Sequence, residues 1–119
     1  MQDFRNLKIW QRAYKLTLQI YKYTNKFPKE ELYGLTSQIR RASSSIAANI
    51  AEGCGKNSDA DLARYLQIAM GSGSELEFHL MLASDLGFLT QEVFRLLFNE
   101  LLEIKRMLSS FLKKLRANS

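Results

Sequence analysis

The chain has 119 residues, 46% of them hydrophobic and 24% charged, which suits one soluble domain, 1–119, with a core of its own. Its single cysteine, Cys54, excludes an intrachain disulfide, and no uncharged run approaches the ~20 apolar residues of a membrane-spanning helix. The opening MQDFRNLKIWQRAYK lacks a signal-peptide core, so a cytoplasmic protein without a membrane partner is expected; the net charge of +5 permits a polyanionic partner without requiring one.

One proline and six glycines leave little turn punctuation, and helical periodicity dominates. The spacing predicts a first helix from Leu7 to Lys26, with Leu7, Trp10, Ala13, Tyr14, Thr17, Tyr21 and Thr24 facing inward. Phe27-Pro28 ends it, and Pro28 can open the next helix, where its missing N–H costs nothing. The second helix is expected from Lys29 to Glu52, with a stripe of Leu32, Leu35, Ile39, Ala42, Ile46 and Ile50 and stops at Gly53 and Gly55. Ser58 caps a third, followed by Asp59 and Asp61, which suit a helix N-terminus. The third runs from Asp59 to about Leu86 with a seam of Leu62, Leu66, Ala69, Gly73, Leu76, Leu80 and Ala83, and Gly87 ends it. Thr90 caps the fourth, which presents Val93, Leu97, Leu101, Ile104, Leu108, Phe111 and Leu115 and ends near Arg116. Four long helices with short connections predict an all-α, antiparallel up-down-up-down four-helix bundle.

Charge is unevenly shared. Residues 1–27 carry six basic groups and one acidic, whereas residues 58–87 carry one basic and five acidic. Arg5, Lys8, Arg12, Lys15, Lys22 and Lys26 fall within an arc of roughly 100° on the first helix. The arc is uninterrupted by acid, and a row of cations on one helix face can follow a phosphate backbone. Lys113, Lys114 and Arg116 are candidates to extend it. A solvated face is the plainer reading, although such faces usually mix both signs.

The second helix carries a polar line of Gln38, Arg41, Ser45, Asn49 and Glu52, with Ser72 and Glu75 as partners from the third, expected as a network that fixes helix register. Its remaining side holds Ser37, Ser44, Ala48 and Ala51, and residues 42–51 carry no charge. A helix without a charged face is usually covered on several sides, so self-association is expected there. Gly71 and Gly73 in the third helix point the same way, because an interior glycine costs up to ~1 kcal/mol against alanine.

Catalytic chemistry is poorly provided for. Glu52, Glu75 and His79 are the available polar set, but one histidine and a single Glu-x-x-x-His spacing do not make a di-metal bundle, so no metal or cofactor is expected. Cys54 lacks an obvious base, and Gly-Cys-Gly-Lys lacks phosphate-loop spacing.

FRNLKIWQRAYKL at 4–16, FPKEELYGLTSQIRRASSSIAANIAEG at 27–53 and YLQIAMGSGSELEFHLMLASDLGFL at 65–89 resemble the proteins encoded in intervening sequences of bacterial 23S ribosomal RNA genes, also called S23 ribosomal proteins. The most specific element is Gln38, Arg41, Ala42, Ser45, Ile46, Asn49, Ile50, Ala51, Glu52 and Gly53, with Ala69, Gly71, Ser72, Glu75 and Leu76 as a second signature. The resemblance implies a four-helix bundle that assembles into a homopentamer. It also implies similarity to the accessory protein of diversity-generating retroelements, a basic pentameric barrel that binds nucleic acid and a reverse transcriptase. No enzymatic activity comes with it. The expectation is therefore a non-enzymatic homo-oligomer that binds RNA or DNA through basic helices. The alternative is a scaffold that presents a surface to another protein.

Overall fold

The computed structural model describes residues 3–118. At its start the Asp3 carboxylate accepts the Arg5 backbone N–H at 3.1 Å and holds a 3-10 turn over Phe4–Asn6. Helix α1 spans Lys8–Thr24 and buries Ile9, Ala13, Leu16, Ile20 and Thr24. The predicted inner face is therefore rotated: Tyr14 and Tyr21 are exposed and Trp10 is only partly buried. Both sets recur at helical spacing, but Ile and Leu have no polar tip to leave in water, whereas Tyr and Trp do. Trp10 is accommodated by stacking on Tyr14, with ring centroids 5.1 Å apart, and by meeting Phe4 edge-on at 4.8 Å.

Phe27-Pro28 ends α1 as expected, but the second helix does not start there. A 3-10 turn over Lys29–Glu31 comes first, and α2 runs Leu35–Cys54. Between them Gly34 takes a non-helical conformation, and the Glu31 carboxylate accepts the Leu35 N–H at 3.1 Å. That cap lets α2 begin late, and it turns Leu32 out of the predicted stripe into solvent. Leu35, Ile39, Ala42, Ile46 and Ile50 are buried as read. Gly53 does not stop the helix. It lies inside α2, where a Cβ would fall 2.9 Å from Tyr65 Cβ and 3.0 Å from Leu62 Cδ1, so it permits close helix approach.

Helix α3, Asp59–Asp85, is capped by Ser58, whose hydroxyl accepts the Asp61 N–H at 3.1 Å, and all seven predicted seam residues are buried. Gly87 adopts φ +82°, a left-handed conformation that favours glycine, and the Phe88 N–H reaches back to the Ala83 carbonyl at 2.9 Å. Helix α4, Gln91–Ala117, is capped by Thr90 and buries Leu97, Leu101, Ile104, Leu108, Leu112 and Leu115; Leu112 takes the fully inward place read for Phe111. Helix α1 lies beside α2, α2 beside α3, α3 beside α4 and α4 beside α1. The result is an antiparallel up-down-up-down bundle, 46 × 22 × 20 Å, whose core is lined from all four helices.

Candidate nucleic-acid interface

Antiparallel packing sets the basic stripe of α1 beside α4, and α4 changes its character. Arg12 is drawn into a two-pronged ion pair with Glu100, at 2.8 and 2.7 Å, and lies 3.8 Å from Glu103. The hydrogen bond to Glu100 raises the Arg12 pKa, so this cation is committed to holding α1 against α4. The stripe has one sign on α1 alone; the face it joins is mixed. Lys8, Lys15, Lys22 and Lys26 are exposed, and so is Arg5, although it pairs with Asp3 at 3.0 Å.

Arg12 divides the face in two. Toward the C-terminus of α1 a cleft opens to α4, where Arg12, Lys15 and Arg95 stand against Glu92, Glu100 and Glu103 and the signs cancel. Toward its N-terminus, Lys8 meets the end of α4. Lys8, Arg106 and Lys114 surround a groove of about 420 Å³ floored by Leu7, Ile9, Met107 and Phe111. Arg106 is tied to Glu103, whose pKa is lowered by that hydrogen bond. Lys113 and Arg116 are exposed on the last turns of α4. Thus Lys8 and Lys114, far apart in sequence, share one site.

The α2/α3 side is built differently. The Ser45 and Ser72 hydroxyls meet at 2.9 Å, and the Asn49 amide donates to the Ser45 carbonyl and hydroxyl at 2.8 and 3.0 Å. Arg41 donates to Gln38 within α2 at 2.9 Å, and Glu75 lies 3.4 Å from His79 Nε2 within α3. The predicted network therefore crosses between the helices through one hydroxyl pair. Glu52 is exposed and belongs to a different level of the bundle: its neighbour Gly53 packs on Leu62 and Tyr65, about 15 Å along α3 from Glu75. Glu52, Glu75 and His79 do not converge.

Ser44 and Ala51 are half-buried and Ala48 is exposed, so the small-residue face of α2 is open to solvent. Beside it, α3 turns Ile68, Phe78, Met81 and Leu82 outward. The two glycines of α3 separate here. Gly71 is exposed with nothing within 4 Å of its Cβ position, while Gly73 is buried against Lys105 and Leu101 of α4, not against α2.

Residues 5–110 match the 23S rRNA-intervening sequence protein family. The chain belongs to that family. It is also similar to a protein of unknown function from the S23 ribosomal protein family of Bacteroides thetaiotaomicron VPI-5482, solved by crystallography. The TM-score is 0.81 at 27% identity, over 88% of this chain and 95% of that one. None of the curated proteins matches. Neither family description names an enzyme.

No described helix is long and apolar enough to cross a membrane. Among the described residues no group of three or more His, Cys, Asp or Glu side chains is placed to hold a metal ion. The reading of the sequence missed two surfaces. One is the outward stripe of α3, although Ile68, Gly71, Glu75, Phe78 and Leu82 repeat at 3-4 spacing beside the core seam. The other is a cluster of Tyr21, Tyr33 and Arg40 at the α1–α2 junction, which depends on the late start of α2 and has no signal in the periodicity.

Proposed function

We propose that this chain is a non-enzymatic cytoplasmic homo-oligomer that binds nucleic acid, structured RNA first, through its α1/α4 face. The observation that carries the reading is the groove where Lys8 and Lys114 converge from both ends of the chain, beside an Arg106 that is paired with Glu103. Lys8 and Lys114 on one rim can take successive phosphates, and Arg5, Lys15, Lys22, Lys26, Lys113 and Arg116 extend the field around them. Arg12 acts behind this surface as the strut that holds the two helices in place. Self-association uses the other side, where Ala48 and Ala51 of the uncharged α2 face adjoin the outer face of α3, and the resemblance supports five copies. The α2 part of this face loses little on drying because residues 42–51 carry no charge, while Glu75 on α3 would have to stay at its wet rim.

Fluorescence anisotropy with a hairpin RNA tests this. Affinity should fall linearly with salt on a logarithmic scale, with a slope of about −0.9 per phosphate neutralised on a duplex. Reversing Lys8, Lys15 and Lys114 to Glu should abolish binding while sedimentation shows the oligomer intact. Binding that is flat with salt, or absent for RNA and DNA alike, defeats the proposal. A scaffold for another protein is the second reading, and the exposed Phe78 and Met81 favour it. Its signature is loss of partner capture on Phe78→Ser with no dependence on the α1 lysines.

A further inference from the structure

The turn between α1 and α2 leaves an aromatic ring in open solvent. Tyr33 is 93% exposed, immediately before the Gly34 break that delays α2. It borders a hollow of about 440 Å³ with Tyr21, Leu32, Ser37, Arg40 and Arg41. A tyrosine so exposed adds almost nothing to the core, and both neighbouring cations lie on its side of the bundle.

Arg40 is held in place from beneath. Its Nε donates to Thr24 Oγ1 at 2.9 Å and its Nη2 to Asn25 Oδ1 at 3.1 Å. Thr24 is itself buried and fixed, since its hydroxyl donates to the Ile20 carbonyl at 2.7 Å. The guanidinium carbon sits 4.7 Å from the centre of the Tyr21 ring. Only two of the five guanidinium N–H groups are used in these bonds. The side chain is thus oriented in advance, with donors left over. Arg41 adds a second, exposed cation one residue on, and no carboxylate lines the hollow.

A ligand that matches these groups has a planar apolar ring next to a negative charge. An acidic peptide offers the charge without the ring. A base-paired duplex offers phosphates with its rings stacked away. An unpaired nucleotide offers both, because unstacked bases pack on aromatic side chains and on guanidinium planes. We propose that the Tyr33–Arg40 hollow binds an unpaired nucleotide of an RNA or single-stranded DNA, the base on Tyr33 and the adjoining phosphate on Arg40 and Arg41. The partner class rests on the nucleic-acid reading above, but the site is separate from the α1/α4 groove.

The test compares a single-stranded RNA of about 12 nucleotides with a blunt duplex of the same length, by anisotropy, on the full chain. Tyr33→Ala should weaken the single strand about tenfold, the scale of one lost base stack, and leave the duplex unchanged. Tyr33→Phe should behave as wild type. Because Tyr33 is almost fully exposed, these variants leave the core intact, which circular dichroism checks. If Tyr33→Ala binds the single strand as wild type does while the duplex still binds, this inference falls and the groove reading stands. If wild type binds neither nucleic acid, both fall. If Tyr33→Ala instead lowers the sedimenting mass, the hollow is a contact between copies and this proposal is wrong. Added mononucleotide that displaces the single strand at micromolar concentration would also overturn it, because the site would then serve free nucleotides.

Discussion

The α1/α4 and α2/α3 sides of the bundle bury their inner residues alike, through Leu16 and Leu108 on one and Ile46 and Leu76 on the other. Their outer seams differ. Across α1/α4, Arg12 bridges to Glu100 and Glu103, and lysines stand on either flank. Across α2/α3 the bridge is a pair of serine hydroxyls, and the neighbouring surface is alanine, serine, glycine and exposed apolar side chains. An ion pair at a wet seam tolerates water and resists drying, since removing charges from water costs more than their attraction returns. A hydroxyl pair among small residues does the reverse. One seam of this molecule holds its charges in water, and the other presents few charges to it.

The sharpest way to break that contrast uses two positions on α3. Leu76→Ala opens the core, where the side chain is fully buried, and should cost about 2–5 kcal/mol in urea denaturation. Phe78→Ser, at a residue 59% exposed, should change dilute-protomer stability by no more than ~0.5 kcal/mol yet lower the sedimenting mass. If Phe78→Ser destabilises the protomer as Leu76→Ala does, the outer face of α3 is part of the fold and the contrast fails.

Two cations of the α1 stripe sharpen the other side. Arg12→Met should cost about 1 kcal/mol, the scale of a charge-assisted pair reduced by its partial exposure. Lys15→Met, three residues along and exposed, should stay within ~0.5 kcal/mol and show its effect in RNA affinity. Equal losses of stability at both positions would mean that Arg12 is not a strut.

What could be read from sequence follows the range of the interaction. The α3 seam, the Ser58 and Thr90 caps and the Gly87 stop are local patterns, and each was legible. The inner face of α1 was not, because Trp10, Tyr14 and Tyr21 share the helical period with Ile9, Leu16 and Ile20, and only packing chooses between them. The start of α2 turned on a single side-chain cap, Glu31 to the Leu35 N–H, which propensity does not weigh. Gly53 looked like a stop because its reason, the close approach of Leu62 and Tyr65, lies on another helix. In the candidate site each exposed lysine of the stripe was legible. The loss of Arg12 to Glu100, 88 residues away, and the meeting of Lys8 with Lys114 required the bundle.

The glycines of α3 give a subtler test. Gly71→Ala meets nothing in the protomer, so helix propensity alone should stabilise it by up to ~1 kcal/mol in dilute solution. If the proposed self-association brings a second copy against Gly71, the added methyl should weaken assembly. Gly73→Ala places its Cβ 3.2 Å from Lys105 Cγ and 3.8 Å from Leu101 Cδ1, so its propensity gain is spent in displacing Lys105. That lysine also bonds Glu77 at 2.7 Å and Ser74 at 3.1 Å, which ties the displacement to the α3/α4 seam. A Gly71→Ala protein that is more stable and still fully assembled removes Gly71 from the interface.

The smallest effects are in pH, and the two sides should respond at opposite ends of the scale. Glu103, beside Arg106 and Arg12, has its pKa lowered chiefly by the hydrogen bond from Arg106. Its contribution is present above the unfolded glutamate value of about 4.3 and is lost as pH falls through the folded value. Cys54, at the end of α2, has its pKa raised by burial, which disfavours the thiolate. Its contribution is present below the unfolded thiol value of about 8.5 and is lost as pH rises through the folded one. Cys54→Ala should therefore flatten the alkaline arm of a stability profile and leave the acid arm alone, and Glu103→Gln should do the converse. The thiol offers an independent readout: near pH 8 the native protein should react with a disulfide reagent far more slowly than the urea-unfolded chain. Equal rates would mean that the end of α2 opens in solution and that the burial of Cys54 does not persist there.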